Sequence, residues 1–101
     1  MARTLDQINA DLSQLKILCD DMRQTARTLQ NYANNDYLQA VETINKAWQG
    51  TSADMFVKKS TVVQNEVLNT TDKLIATINT IEIEVTNYLQ AEANAIKIAQ
   101  S

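Results

Sequence analysis

Few side chains of this 101-residue chain could do chemistry, because the chain has no histidine and a single cysteine, Cys19. Without histidine, a histidine-based metal site, a histidine general base and a Ser-His-Asp triad are excluded. Carboxylates occur close together as Asp20 with Asp21 and as Glu82 with Glu84. Asp20 and Asp21 are adjacent, so they point to different faces of a helix, and a helical rod offers no enclosed pocket. We therefore expect no enzymatic activity, no cofactor, no metal and no small-molecule substrate.

Cys19 has two interpretations. A lone cysteine cannot build a disulfide framework, and at an apolar position it usually behaves as a small buried hydrophobic side chain. The alternative is a reactive or intermolecular thiol, since Lys16 and Arg23 lie one helical turn away. The buried interpretation is favoured.

Two motifs are candidates for binding. Trp48 and Gly50 form a W-x-G motif near the middle of the chain, and Tyr88 and Glu92 form a Y-x-x-x-E motif near its end. Tryptophan offers a large rigid surface with one hydrogen-bond donor, which suits recognition if it is exposed at a turn. The residues alone favour a tryptophan that packs at the end of a helix bundle beside a helix-ending glycine. The spacing of four places Tyr88 and Glu92 on one helix face, which an ordinary amphipathic helix end also explains.

Composition predicts the elements that must position these residues. With no proline and one glycine, the chain lacks the turn residues of an all-β fold, so we predict an all-α fold. The net charge of -3 disfavours nucleic-acid binding and a membrane-surface helix. The longest apolar run is three residues, and the first residues lack the apolar stretch of a signal peptide, so we expect neither a membrane span nor a cleaved signal.

The first helix is predicted from about residue 5 to 48, with Thr4 and Gln7 as a capping box. Its apolar positions follow a heptad pattern with a stutter around Tyr37, where the supercoil should locally unwind. The segment 34–36, Asn-Asn-Asp, favours helix poorly, so a break there stays open beside the favoured continuous helix. The heptad positions are Leu5, Ile8, Leu12, Leu15, Cys19, Met22, Ala26, Leu29, Ala33, Tyr37, Val41, Ile44 and Trp48.

Gly50 marks a turn at about residues 49–51, and a second helix is predicted from about 52 to 97. Thr51 or Ser52 is the expected N-cap of that helix. The short connection makes the two helices an antiparallel hairpin, which forms a single domain over residues 1–101.

One hairpin cannot bury apolar stripes this wide, so we expect two hairpins to dimerise into a four-helix bundle. A homodimer is favoured because two-fold assemblies are the commonest, and a heterodimer with a related hairpin stays open. The predicted hairpin and dimer core comprises Leu12, Leu15, Cys19, Met22, Leu29, Val41, Ile44, Val63, Val67, Leu74, Ile78, Ile81 and Val85.

With both motifs at these positions, the whole chain resembles the WXG family, the ESAT-like small proteins of type VII secretion systems in Gram-positive bacteria and mycobacteria. The resemblance implies a helical-hairpin dimer, an association with virulence, and export from the cytoplasm to the exterior without a cleaved signal peptide. It also implies recognition by the membrane ATPase of the secretion system. By the same resemblance Tyr88 and Glu92 are signal residues, and Trp48 and Gly50 form the turn element.

Helix geometry suggests how these residues combine. Tyr88 lies 38 residues after Gly50, a separation of about 57 Å at the rise of an α-helix. We therefore expect a composite export signal, in which Trp48 of one chain lies beside Tyr88 and Glu92 of its dimer mate. The alternative function is a helical adaptor or chaperone that pairs with the helical N-terminal domain of a larger secreted toxin.

Overall fold

The computed structural model describes residues 3–101, and these residues form helices without a strand. Helix α1 spans Leu5–Tyr32, a π-helical turn spans Ala33–Tyr37, α2 spans Leu38–Ala47 and α3 spans Thr51–Gln100. The prediction of an all-α chain is confirmed over this part of the sequence. None of these helices contains an apolar stretch long enough to cross a membrane.

The start of α1 is capped as its sequence predicts. The Gln7 backbone N–H donates to Thr4 Oγ1 over 3.1 Å, and the Thr4 backbone N–H donates to Gln7 Oε1 over 2.8 Å. The Ile8 N–H donates to the Thr4 carbonyl over 3.0 Å, which begins the helical hydrogen-bond ladder. The reciprocal pair satisfies two backbone donors at the helix start and confirms the capping box.

The helix does not break at the Asn-Asn-Asp segment. Tyr32, Tyr37 and Leu38 keep right-handed helical backbone angles on both sides of the π turn. The π turn coincides in sequence with the stutter around Tyr37, where the pattern predicts a local unwinding of the supercoil but not a π turn. The Gln64 side-chain amide donates to the Ala33 carbonyl over 2.9 Å, and a second bond joins the Tyr37 hydroxyl to α3.

The chain divides into two compact units. Residues 3–23 with Ala76–Ser101 form the terminal unit, and Gln24–Ile75 form the turn unit. In the terminal unit, Arg3 contacts Glu92 and Arg23 contacts Glu82, so these segments of α1 and α3 run antiparallel.

The helices of the turn unit also run antiparallel. The Gln30 side-chain amide donates to Asp72 over 2.7 Å, and the Tyr37 hydroxyl donates to the Ser60 carbonyl over 3.1 Å. As the residue number rises along the first helix, it falls along α3. The turn between α2 and α3 therefore closes a helical hairpin within this unit.

Small side chains dominate the buried positions of the turn unit. Its buried residues are Ala26, Ala33, Val41, Ala53, Ser60 and Thr71. Small side chains at a helix contact allow the helices to approach closely, and larger neighbours then flank the contact instead of filling it. The terminal unit buries bulkier residues, among them Ile8, Ile78 and Leu89.

Candidate functional site

Trp48 ends α2 and is partly exposed. Its backbone angles, φ -129° and ψ 122°, are extended rather than helical, while its backbone N–H still donates to the Ile44 carbonyl over 2.9 Å. The indole packs against Phe56 of α3, with ring centroids 6.0 Å apart and planes tilted by 51°. At 44% exposure the side chain keeps a large accessible surface beside the turn. Phe56 thus fixes the ring without covering it, an arrangement suited to recognition.

Gly50 is required by the backbone of the turn. Its φ of +117° is a conformation that side-chain-bearing residues rarely adopt. Its carbonyl accepts the Asp54 N–H over 3.0 Å, so Gly50 is the N-cap of α3. The expectation that Thr51 or Ser52 caps this helix is therefore wrong, because α3 already begins at Thr51. The helix also continues three residues beyond its expected end near 97.

Tyr88 and Glu92 have very different surroundings on α3. The Tyr88 side chain is 67% exposed. The Glu92 carboxylate accepts two hydrogen bonds from Arg3, one from Nη2 over 2.9 Å and one from Nε over 3.3 Å. Arg3 Nη1 also donates to Asp11 over 2.6 Å. These hydrogen bonds, first to Asp11 and then to Glu92, raise the pKa of Arg3 above its ordinary value, so the guanidinium stays charged.

The terminal unit carries an apolar groove beside these residues. Leu15 and Leu18 of α1 face Val85 and Leu89 of α3 across it. Tyr88 lines the same groove, together with the polar residues Arg3, Asp11 and Gln14. Of the candidate signal residues, Tyr88 therefore borders an open apolar surface built by both helices.

The turn unit has two further grooves that share Leu29, Val63 and Val67. Leu29 lies on α1 and the two valines on α3, so large apolar side chains of both helices meet along this surface. Tyr32 and Tyr37 extend one groove toward the π turn, and the other continues along α3. These grooves are surfaces that another helix can fill.

The predicted core residues fall into three groups within the single chain. Cys19, Val41 and Ile78 are buried, whereas Leu12, Leu15, Val67 and Val85 are half-buried. The remaining six are exposed: Met22, Leu29, Ile44, Val63, Leu74 and Ile81. The helices of the single chain therefore cover only part of the predicted hairpin and dimer core.

A polar cluster joins the two helices of the terminal unit around Arg23. Its guanidinium donates to Glu82 over 2.6 Å, to Asp20 over 2.7 Å and to Asn79 over 2.8 Å. The hydrogen bond from Arg23, followed by that from Lys16, lowers the pKa of Asp20. The hydrogen bond to Asp20 likewise raises the pKa of Arg23. The cluster fixes charges between the helices rather than forming an open site.

Cys19 is buried at the edge of this cluster. Burial raises the pKa of its thiol, and a hydrogen bond to the Glu82 carboxylate raises it further. A reactive cysteine needs the opposite shift toward thiolate. Its geometry thus favours the buried interpretation over the reactive one. Among residues 3–101, no group of three acidic or cysteine side chains is placed to hold a metal ion.

Arg3 is the site residue that the sequence motifs do not reveal. It lies 89 positions from Glu92, outside any local spacing rule. Its only sequence signal is a positive charge just before the N-cap of α1, and the sequence does not show that this charge lies beside Glu92 of α3.

Comparison of the chain with protein-family models, characterised proteins and solved structures finds no match.

Proposed function

We propose that this chain is a small secreted substrate, or a co-secreted partner, of a type VII secretion system, and that it acts as a dimeric, non-enzymatic helical hairpin. The observation that carries the proposal is the placement of the W-x-G motif. Trp48 lies partly exposed at the turn between α2 and α3, and Gly50 supplies the positive φ of that turn. This is the position that the resemblance to the WXG family implies.

The apolar grooves support a dimer. Leu29 and Val63 are both about half exposed, although they line the same groove from different helices. Covering such surfaces removes apolar area from water, which favours association by about 25 cal/mol for each Å². A second hairpin packed on this face gives the four-helix bundle, and a second copy of the chain is the partner that we propose.

The second motif supports the export role. Tyr88 projects from α3 with most of its surface accessible, while Glu92 is held one turn away. In the proposed dimer, the turn of the other hairpin places its tryptophan beside this pair. The membrane ATPase of the secretion system would then bind the assembled signal, and the protein would leave the cytoplasm without cleavage.

The test compares export of tagged wild-type and Trp48→Ala chains in the native strain and in a strain lacking the membrane ATPase. We expect ATPase-dependent export of the wild type and reduced export of Trp48→Ala, at normal cellular levels and nearly unchanged helicity. Met55→Ala is the matched control, because Met55 is an exposed large side chain near the same turn but outside the motif.

Two results would contradict the proposal. Unchanged export of Trp48→Ala would show that the tryptophan is not part of the signal. Wild-type export that does not depend on the ATPase would show that the chain does not use the type VII pathway. The molar mass of the purified chain distinguishes the proposed homodimer from the alternative function, a helical adaptor. A chain that dimerises alone supports the proposed homodimer, whereas one that folds only with a larger helical partner is an adaptor.

A further inference from the structure

We propose that Arg3 is a third component of the export signal, because it positions the carboxylate of Glu92. This inference rests on the proposed function and extends it from α3 to the start of the chain. Arg3 is a positioning residue in this scheme, since it acts through Glu92.

The geometry of the pair supports this role. Arg3 Nη2 and Nε donate to different oxygens of the Glu92 carboxylate, over 2.9 Å and 3.3 Å. A forked arrangement of this kind fixes the orientation of a carboxylate as well as its position. Arg3 is itself anchored to α1 through Asp11, over 2.6 Å. The position of Glu92 therefore depends on both helices.

The surroundings of the pair connect it to Tyr88. Arg3 and Tyr88 line the same groove of the terminal unit. The Glu92 side chain is 28% exposed, and that of Arg3 is 40% exposed, so a protein that contacts this region meets both charges. The three charged groups Arg3, Asp11 and Glu92 carry a net charge of about -1 together, whereas Glu92 and Asp11 alone would carry about -2.

This arrangement distinguishes a folded chain from an unfolded one. An unfolded chain still contains the Y-x-x-x-E sequence, but its glutamate samples many rotamers and lies far from Arg3. Only the folded terminal unit presents an oriented carboxylate next to Tyr88 and an apolar groove. A secretion ATPase that binds this surface would select folded chains.

The experiment is a double-mutant cycle measured as export in the native strain, with Arg3→Ala, Glu92→Ala and the double variant. If Arg3 acts through Glu92, each single variant lowers export several-fold, and the double variant is no worse than Glu92→Ala alone. Arg3→Lys keeps the charge but loses the fork, so we expect intermediate export. Arg27→Ala is the matched control, since Arg27 is an exposed arginine further along α1.

Folding is followed by the helical circular dichroism signal and the melting temperature of each variant. A partly exposed ion pair near the surface contributes little to stability, so Arg3→Ala should melt close to the wild type. Unchanged export of Arg3→Ala, with export of Glu92→Ala reduced, would overturn the role of Arg3 and leave the proposed function intact. Additive losses in the double variant would also overturn it. If Tyr88→Ala and Glu92→Ala are both exported normally, the proposed signal itself is wrong.

Discussion

Replacing Val63 with aspartate should weaken self-association of the chain at least tenfold (about 1.4 kcal/mol or more) without unfolding it. Val63 is 47% exposed, so a partner has about half of the side chain left to bury. Full burial of an apolar side chain of this size is worth about 1.5–3 kcal/mol, which gives about 0.7–1.5 kcal/mol for each Val63. A two-fold dimer contains the residue twice, so the loss is about 1.5–3 kcal/mol, or one to two decades in Kd. The unpaired carboxylate adds a desolvation cost.

The matched control is Val62→Asp. Val62 is the neighbouring residue and is 55% exposed, but it lines neither of the two grooves of the turn unit. Sedimentation equilibrium measures Kd for the wild type and both variants, and circular dichroism measures their helicity. Equal values of Kd for the two variants would show that the dimer contact does not use this groove. A monomeric, fully helical wild type at micromolar concentration would refute the dimer itself.

Two further changes test the turn and the Arg23 cluster. Gly50→Ala should lower stability by about 1–2 kcal/mol, seen as a lower melting temperature. The added Cβ meets nothing within 4 Å, so the loss reflects backbone strain at φ +117°, and an unchanged melting temperature would contradict it. Asp20→Asn should lower the melting temperature at neutral pH. Because the pKa of Asp20 is depressed below 3.8, its stabilising effect is present above that value and is lost as the pH falls through the folded-state pKa. A difference between wild type and variant that persists at still lower pH would refute the ion-pair explanation.

The helices could be predicted from the sequence because their signals are local. Thr4 and Gln7 are three residues apart, and their capping box forms as expected. The stutter around Tyr37 marks the position where the structure has a π turn. The π geometry could not be predicted from local spacing, and the bond from Gln64 to the Ala33 carbonyl joins residues 31 positions apart, beyond any local pattern.

The heptad pattern identifies the apolar face of each helix but not the element that covers each position. Cys19, Ala26 and Ala33 lie seven residues apart and are buried within the chain. Met22 and Leu29 belong to the same pattern and remain about half exposed. Sequence spacing sets the angle around a helix, whereas the packing distance depends on the size of the side chains at the contact. Small residues at the contact line therefore leave larger residues such as Met22 and Leu29 exposed in the single chain.

Polar pairs between the helices fix which exposed apolar residues of α1 and α3 lie opposite each other and line a common groove. In the terminal unit Arg23 reaches Glu82, 59 residues away, over 2.6 Å, and in the turn unit Gln30 reaches Asp72, 42 residues away, over 2.7 Å. A slide of one heptad would move a helix by about 10.5 Å, beyond the reach of either side chain. A heptad slide preserves an apolar pattern, so apolar residues alone would tolerate it, whereas the polar pairs oppose it. By fixing the register within each unit, these pairs keep Leu29 opposite Val63 and Val67 of α3, so the apolar groove that these three residues line depends on that register.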